Sequence, residues 1–397
     1  MNGRAKTGRP LHVLIAGGGV AGLEALLALN KHAQERVSIE LLAAEPQFWY
    51  RPLAVAEPFG LGDIHGLDLS DIADECGALF TLGRLDSVDS ERHLARSSGG
   101  GTELEYDVLL IAVGARPVAS VPGAFTFRGP ADTAAFGSLL EELAESNASR
   151  VIFALPGGVS WPLPLYELAL QTASRLPSLE VVLVSHEEAP LQLFGPAASS
   201  AMASLLTERR IRLRTSSYAV AFADGFLKLA PDWELEADQV VALPRLEGAR
   251  IAGIPSDAQG FIATDGFGRV AGIEDVFAAG DATTFPVKQG GLAAQQADAA
   301  AEEIAALAGA DVEPEPFRPI LRGLILTGGV PLFARSELTR PGDPAPVATD
   351  ALWWPPGKIV GRYLGPFLAE RSGTILTPAT LESVSVETDL TSVISNT

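Results

Sequence analysis

The fold of this chain is decided by one stretch near its start, Val13-Leu14-Ile15-Ala16-Gly17-Gly18-Gly19-Val20-Ala21-Gly22. Its apolar first half predicts a buried strand, and its glycines follow the pattern Gly-x-Gly-x-x-Gly that precedes a helix. Gly17 permits a tight turn, Gly19 lets a pyrophosphate approach the backbone, and Gly22 allows close helix–strand packing. The helix predicted from Leu23 to about Leu29 directs its N-terminal amides at the phosphates. The stretch therefore predicts a dinucleotide-binding βαβ unit.

Two further parts of the sequence complete this nucleotide site. A strand is predicted over Val37–Leu42, and Glu45 behind it is placed to accept hydrogen bonds from adenosine ribose hydroxyls. The alternative is that Glu45 is a surface acid in an α/β unit that binds no nucleotide. Late in the chain, a second apolar strand ends in Gly-Asp, in the run Val276-Phe277-Ala278-Ala279-Gly280-Asp281. The two stretches together, in this order, predict a two-part site for FAD.

Length and charge limit the classes of function. With 397 residues the chain is long enough for two or more domains. The formal net charge of −20 disfavours a nucleic-acid partner and an anionic membrane bound through basic patches. We find no signal-peptide pattern and no long uncharged apolar run, so we expect no transmembrane segment. We expect a cytoplasmic protein without a metal site, and leave peripheral contact with a membrane open.

The order of the apolar runs predicts an α/β fold. We expect two Rossmann-like dinucleotide-binding domains, the FAD domain being discontinuous in sequence, and a small C-terminal domain. The predicted bounds are 10–118 and 240–313 for the two segments of the FAD domain, 119–239 for the second, NAD(P)-like domain, 314–372 for the C-terminal interface domain and 373–397 for a tail. The run Trp353-Trp354-Pro355-Pro356 is expected to pack in the core. Covering the flavin, touching an acceptor and forming a dimer contact in a homo-oligomer stay open as alternatives.

Several motifs together indicate a family. They are Gly17–Gly22, Glu45, Tyr50-Arg51-Pro52-Leu53, Ala112-Val113-Gly114, Gly280-Asp281 and Lys288–Ala297. With them the chain resembles the two-dinucleotide-binding-domain flavoproteins of the pyridine nucleotide–disulfide oxidoreductase superfamily. Within it the chain resembles the branch of type II NADH dehydrogenases and sulfide:quinone reductases. The resemblance implies FAD as cofactor and the binding residues Gly17, Gly18, Gly19, Val20, Ala21, Gly22, Glu45, Arg51, Pro52, Ala112, Val113, Gly114, Gly280, Asp281, Gly291 and Leu292.

The resemblance also implies roles at the flavin. Asp281 would accept hydrogen bonds from the ribityl chain, and the helix Gly291–Leu307 would direct its N-terminal amides at the pyrimidine edge. A helix end of this kind stabilises negative charge by about 0.3–1 kcal/mol. Lys288 is a candidate catalytic residue near the ring, or else a solvated lysine at the helix entry. Gln295 is a candidate partner for a quinone carbonyl, or else an ordinary residue of an alanine-rich helix.

The second dinucleotide-binding unit departs from the family pattern. The loop after its first strand reads Pro156-Gly157-Gly158-Val159-Ser160-Trp161-Pro162-Leu163-Pro164. Proline lacks the backbone N–H that a pyrophosphate would use, and Trp161 is bulky where a dinucleotide needs room. Binding of NAD(P)H therefore stays open. His186-Glu187-Glu188 follows the next strand and is interpreted as a solvated acidic turn; the alternative is that one of its two acids binds a ribose.

Cysteine usage constrains the chemistry. The chain has one cysteine, Cys76, so the paired-thiol chemistry of disulfide reductases and sulfide:quinone reductases is excluded. Cys76 is predicted to be a packing residue. We therefore predict an FAD-dependent oxidoreductase that passes electrons from NAD(P)H through the flavin to a quinone or other small acceptor. Two alternatives stay open: a flavoprotein with a non-nicotinamide donor or a redox-protein partner, and a non-enzymatic FAD-binding protein.

Overall fold

The computed structural model describes residues 9–62, 66–98, 101–146, 148–338, 347–353 and 355–372. The predicted tail 373–397 and Trp354 lie outside the described residues. The helices are α1 (Val20–His32), α2 (Leu69–Glu75), α3 (Thr133–Glu145), α4 (Leu163–Arg175), α5 (Pro196–Glu208), α6 (Gly290–Leu307) and α7 (Leu364–Ser372). Helix α1 begins before the predicted Leu23, because the glycine turn already ends at the N-cap residue Gly19.

The first domain is built on a parallel sheet of five strands. Their order across the sheet is Val276–Ala278, Val108–Ile111, Leu11–Ala16, Val37–Ala43 and Leu79–Leu82. The central strand is apolar throughout its buried part because both faces of the sheet are covered. Helices α1 and α6 cover one face. An antiparallel meander covers the other, with strands Arg84–Asp89, Leu94–Ser98 and Glu103–Glu105.

The second domain repeats this three-layer plan. Its parallel sheet has the strand order Phe125–Thr126, Gln239–Ala242, Arg150–Ala154, Glu180–Val184 and Arg212–Arg214. Helices α3, α4 and α5 pack on one face. The other face carries a meander of strands Tyr218–Ala223, Phe226–Ala230 and Trp233–Glu236. The predicted α/β class with two Rossmann-like domains is confirmed, and the first domain takes its edge strand from late in the chain.

Three further short sheets are present among the described residues. Arg116–Val118 pairs antiparallel with Arg245–Glu247 where the chain leaves and re-enters the first domain, and Gln47–Trp49 pairs with Gly66–Asp68. The C-terminal sheet consists of Ile320–Ile325, Leu332–Glu337 and Val347–Ala348. This sheet shares its core with α4, whereas α7 packs into the core of the first domain. The C-terminal part therefore contacts both large domains.

Candidate active site

The first glycine loop has the geometry that a pyrophosphate requires. A Cβ atom at Gly22 would lie 1.7 Å from the carbonyl oxygen of Gly17, and one at Gly17 would lie 2.1 Å from that of Ala112. Only glycine fits these two positions. A Cβ at Gly19, by contrast, would meet nothing within 4 Å. Because no side chain caps α1, its first amides face this open space, which suits a phosphate group.

The late Gly-Asp strand end meets this loop. A Cβ atom at Gly280 would lie 3.0 Å from the Cβ of Ala21 in α1 and 3.3 Å from that of Ala293 in α6. The Gly280 N–H donates to Oε1 of Gln296 at 2.7 Å. Sequence reasoning gave Gln296 no such role. The structure thus brings together the two stretches that the sequence analysis linked.

Asp281 has the properties of a ligand-binding carboxylate. It lines a cavity of about 400 Å³ at the junction of the two domains and the C-terminal sheet. Its side chain has no hydrogen-bond partner among the described residues. Burial raises the pKa of this carboxyl group, while the charges of Lys288 and Arg51 oppose the shift. A buried carboxylate needs hydrogen-bond donors to offset the cost of its desolvation. The hydroxyl groups of a bound ribityl chain would supply such donors to Asp281.

The N-terminus of α6 opens on the same cavity. The side chain of Gln289 accepts a hydrogen bond from the Leu292 N–H at 2.8 Å. The N–H groups of Gly290 and Gly291 have no acceptor in the described chain, and Gln289 and Gly290 line the cavity. These free amides and the helix dipole suit a ligand edge that carries negative charge. The residues present therefore fit FAD.

Lys288 lies in the cavity wall rather than in solvent. Its Nζ donates to the carbonyl oxygen of Thr283 and lies 3.9 Å from the centroid of the Phe261 ring. Burial lowers the pKa of Lys288 to about 8, against the opposing charge of Asp281. A lysine with this pKa exchanges its proton near neutral pH.

Gln295 does not lie in the cavity. Its Nε2 donates to the carbonyl oxygens of Gly291 and Ile320, each at 2.9 Å, and its Oε1 accepts the Ile320 N–H at 2.9 Å. The candidate role at a quinone carbonyl does not fit this geometry, because the whole amide is used to fasten α6 to the C-terminal sheet. Consecutive residues of a helix point in different directions. Gln296 therefore reaches the strand end at Gly280, whereas Gln295 reaches the C-terminal sheet at Ile320.

The other residues implied by the resemblance surround the loop and the cavity. Arg51 and Pro52 form a short 3₁₀ turn in the cavity wall. The Ala112 N–H continues the central sheet by donating to the Ala16 carbonyl oxygen at 2.7 Å. Gly114 has a φ of +72° and open space at its Cβ position. Glu45 is exposed just beyond the second strand. Gly18, Val113 and Leu292 do not line the cavity.

A buried ion pair in the cavity wall was missed by the sequence analysis. Glu167 of α4 is 1% exposed, and its Oε1 lies 2.6 Å from Nζ of Lys358. The same carboxylate accepts the Leu326 N–H at 2.8 Å. Burial raises the pKa of Glu167, and the Lys358 charge opposes this shift. The sequence held one signal for this pair: Glu167 is the single charged residue in the apolar run 163–170, and Lys358 is the single charged residue in the run 352–361.

The second loop offers few donors. Pro162 is the N-cap of α4 and Pro164 lies in its first turn, so neither position supplies an N–H. The Leu165 N–H is already bonded to the Pro162 carbonyl oxygen at 2.9 Å. Trp161 packs on Phe194 with ring centroids 5.8 Å apart. This helix start lacks the row of free amides found at α1.

The acid after the next strand is also withdrawn from the surface. Glu187 is 4% exposed and accepts hydrogen bonds from Tyr166 Oη at 2.7 Å and Ser185 Oγ at 2.9 Å. The interpretation of this segment as a solvated turn is wrong for Glu187 and holds only for the exposed Glu188. The reason is the tyrosine of α4, which supplies a buried donor. The carboxylate is therefore not available to a ribose.

Comparison with known proteins defines the family. Residues 11–303 match the family model described as pyridine nucleotide-disulphide oxidoreductase, and the chain belongs to this family. The resemblance stated from the sequence is confirmed. The fold is similar to that of the sulfide:quinone oxidoreductase of Aquifex aeolicus, with a TM-score of 0.79 and 19% identity over 85% of this chain and 86% of that one.

Two other solved structures share the fold. A ferredoxin reductase from Rhodopseudomonas palustris has a TM-score of 0.66 and 22% identity, over 82% of each chain. NDH2 from Plasmodium falciparum has a TM-score of 0.58 and 16% identity, over 69% of this chain and 64% of that one. At these identities the likeness shows the fold and not the substrates. Among the described residues, the structure contains no helix that is both long and apolar enough to cross a bilayer.

Proposed function

We propose that the protein is an FAD-dependent oxidoreductase that takes electrons from a small donor other than NAD(P)H and passes them to a quinone or another small acceptor. The observation that carries this is the cavity itself. It joins Asp281 and Lys288, at the expected flavin position, to the buried pair Glu167–Lys358. When bound, FAD supplies the electron-transfer chemistry, and the chain supplies binding, orientation and electrostatics.

We assign the FAD-binding roles on this geometry. The amides of Val20, Ala21 and Gly22 would hold the pyrophosphate in front of Gly19, and Glu45 would accept from the adenosine ribose. Asp281 would accept from the ribityl chain. The free amides of α6, whose start is formed by Gly291 and Leu292, would bind the pyrimidine edge. Arg51 and Pro52 line the cavity, and the segment Ala112–Gly114 lies against the glycine loop at Gly17.

Two groups manage charge and protons. Lys288, with a pKa of about 8, is mostly protonated near neutral pH and stabilises negative charge in the cavity. Nζ of Lys358 lies 2.6 Å from Oε1 of Glu167, and both side chains are shielded from bulk water. A quinone that accepts two electrons also takes up protons. This buried pair is placed to deliver one of them.

The proposed donor class rests on the second loop. Pro162 and Pro164 remove amides that a nicotinamide dinucleotide would use, and Glu187 is bonded to Tyr166 instead of facing a ribose. The name of the A. aeolicus protein pairs sulfide with a quinone, so this fold is compatible with a donor other than a nicotinamide. NAD(P)H remains the second candidate donor, favoured by the intact parallel sheet of the second domain.

The acceptor half of the proposal is tested by reoxidation. The holoprotein is photoreduced without oxygen and mixed with menadione, a neutral naphthoquinone, while the visible flavin absorption is followed. We expect wild type to reoxidise rapidly, and Glu167→Gln and Lys358→Met to slow the reaction about tenfold or more, as general acid–base groups do. Glu180→Gln is the matched control, since its ion pair with Arg150 lies outside the cavity. Wild type that fails to reoxidise, or variants equal to wild type, would contradict the proposal.

A further inference from the structure

The cavity collects positive charge in a strongly acidic protein. The chain has a formal net charge of −20. The cavity nevertheless contains more basic than acidic residues; the basic ones are Arg51, Arg128, Lys288, Arg322 and Lys358, and the acidic ones are Glu167 and Asp281. Most of the basic groups have an acid near them. Arg128 lies 3.1 Å from Asp132 and Lys358 lies 2.6 Å from Glu167. The charges of Lys288 and Arg51 both act on Asp281.

Among the described cavity residues, Arg322 is the basic residue that has no acid near it. Its Nε is fully buried and has no hydrogen-bond partner in the described chain. Arg322 lies directly opposite Arg335 on the neighbouring antiparallel strand, and the Arg335 Nε is also buried without a partner. Like charges at directly opposed positions destabilise a sheet. Burial and the charge of Arg335 both lower the pKa of Arg322, and no carboxylate opposes them.

The strand that carries Arg322 is held firmly at the cavity. The backbone carbonyl oxygen of Arg322 accepts a hydrogen bond from Gln289 Nε2 at 3.3 Å, beside the start of α6. A Cβ atom at the next residue, Gly323, would lie 2.6 Å from the Phe194 ring, so the strand is packed tightly against the second domain. Further along, the Leu326 N–H is bonded to Glu167. A fixed, half-buried guanidinium without an acid is costly in the free protein and is well suited to a ligand that brings the missing negative charge.

We propose that the electron donor bound in this cavity is an organic anion and that Arg322 binds its carboxylate or other oxyanion group. The planar guanidinium offers paired donors that match such a group. The oxyanion group only positions the donor, so no bond to it forms or breaks, and the electrons pass to the flavin from another part of the donor molecule. This inference rests on the proposed function only for the location of the flavin. It adds the substrate class, which the fold and the family do not define.

The competing explanation is that Arg322 serves the bound flavin, by balancing negative charge on its ring. The two explanations differ in what they predict for redox-inert ligands. A substrate-binding arginine discriminates between charged and neutral ligands of the same shape while the flavin stays oxidised. An arginine that serves the flavin shifts the flavin potential and is indifferent to the charge of the ligand.

The test measures equilibrium binding to the oxidised holoprotein. The probes are naphthalene-2-sulfonate, naphthalene-2-carboxylate and neutral naphthalene-2-sulfonamide, and binding is followed through the flavin absorption spectrum. We expect both anions to bind wild type about tenfold or more tightly than the amide, since hydrogen bonds to charged groups are strong. Arg322→Met should abolish this preference, and Arg322→Lys should retain part of it. Arg318→Met is the control, because Arg318 is exposed and lies outside the cavity.

Each outcome decides the question. Equal binding of anions and amide by wild type would overturn the proposal. So would a shifted flavin potential in Arg322→Met with an unchanged preference for anions, and so would occupancy by inorganic phosphate alone. The FAD content of every variant is measured first, and Arg322→Lys gives an answer even if Arg322→Met fails to fold. Because the flavin stays oxidised, a failure here is distinct from a failure of quinone reoxidation.

Discussion

The two large domains share one architecture and differ at one loop. Each has a parallel sheet with helices on one face and an antiparallel meander on the other. At α1 the glycine loop leaves open space in front of uncapped amides, whereas at α4 the corresponding positions hold Trp161, Pro162 and Pro164. The apolar pattern that builds the sheet is thus separable from the few backbone donors that bind a nucleotide. A domain can therefore keep the fold without the loop geometry that suits a nucleotide.

The glutamates that follow the second strand of each βαβ unit, Glu45 and Glu187, also differ in their availability to a nucleotide. Glu45 of the first domain is exposed beside the loop. Glu187 of the second is buried and bonded to Tyr166 and Ser185. Two independent elements of the second domain therefore differ from the elements of the first domain that we propose to bind a nucleotide.

The largest expected effect comes from replacing, in each of the two loops, a glycine whose Cβ position is close to a neighbouring residue by alanine. Gly22→Ala would place a methyl group 1.7 Å from the Gly17 carbonyl oxygen, so the loop must move and we expect loss of most bound FAD. Gly157→Ala in the second loop meets only the edge of Tyr218, at 3.3 Å, and should retain FAD. FAD released on denaturation, relative to protein, measures both. Equal loss in the two variants would show that the loops do not differ as described.

The next effect concerns the ligand-binding carboxylate. Asp281→Asn removes the charge from the proposed hydrogen bonds to the ribityl chain, each worth about 1.5–3 kcal/mol, so FAD should bind about tenfold or more weakly. Cys76→Ser is the control. Cys76 does not line the cavity, and burial raises the pKa of its thiol, so it should be chemically inactive. If Cys76→Ser lost turnover with an intact flavin spectrum, the exclusion of thiol chemistry would be wrong.

A third prediction concerns the packing of α1 on α6, which frames the first loop. Buried Glu24 of α1 accepts the N–H groups of Tyr363 and Leu364 at 2.8 and 2.7 Å, and Asp298 of α6 lies beside it. Burial, with the charge of Glu24, raises the pKa of Asp298 to about 9 from an ordinary 3.8. The folded protein therefore holds a proton that the unfolded chain has released.

The sign of the pH dependence follows from this proton. The stability contributed is full below the ordinary pKa and is lost as pH rises toward the folded-state pKa, by up to about 1.4 kcal/mol per pH unit. Asp298→Asn should flatten this decline, as measured by urea unfolding of the holoprotein from mildly acidic to mildly basic pH. Asp311→Asn, at an exposed acid, should not. A stability that rises with pH equally in all three proteins would contradict the shared proton.

The smallest expected effect is at the second loop. Trp161→Gly removes bulk but restores no amide, because Pro162 and Pro164 remain and Glu187 stays bonded to Tyr166. We therefore expect flavin reduction by NADH to remain as slow as in wild type, in anaerobic rapid-mixing experiments. A clear acceleration would mean that crowding alone blocks the nucleotide and that the proline argument is wrong.

Sequence reasoning was most successful where backbone chemistry leaves one choice. The strand Val108–Ile111, the turn at Gly17–Gly22 and the long helix ending at Leu307 follow from apolar runs and glycines, and the structure has all three. It was less successful where the answer depends on which way a side chain faces. Gln295 and Gln296 are neighbours in one helix, but Gln295 binds the C-terminal sheet and Gln296 binds the strand end at Gly280. Glu167 and Lys358 meet across a tertiary contact that no local pattern encodes.

The central claim is that the first loop binds a dinucleotide and the second does not. Its most direct test is to mix the yellow holoprotein with NADH, and separately with NADPH, in the absence of oxygen. We expect denaturation to release one FAD per chain. We expect the visible flavin band to persist, with bleaching slow and not saturable in either nucleotide. Rapid, saturable bleaching at micromolar NADH or NADPH would contradict it and would make the nicotinamide nucleotide the donor.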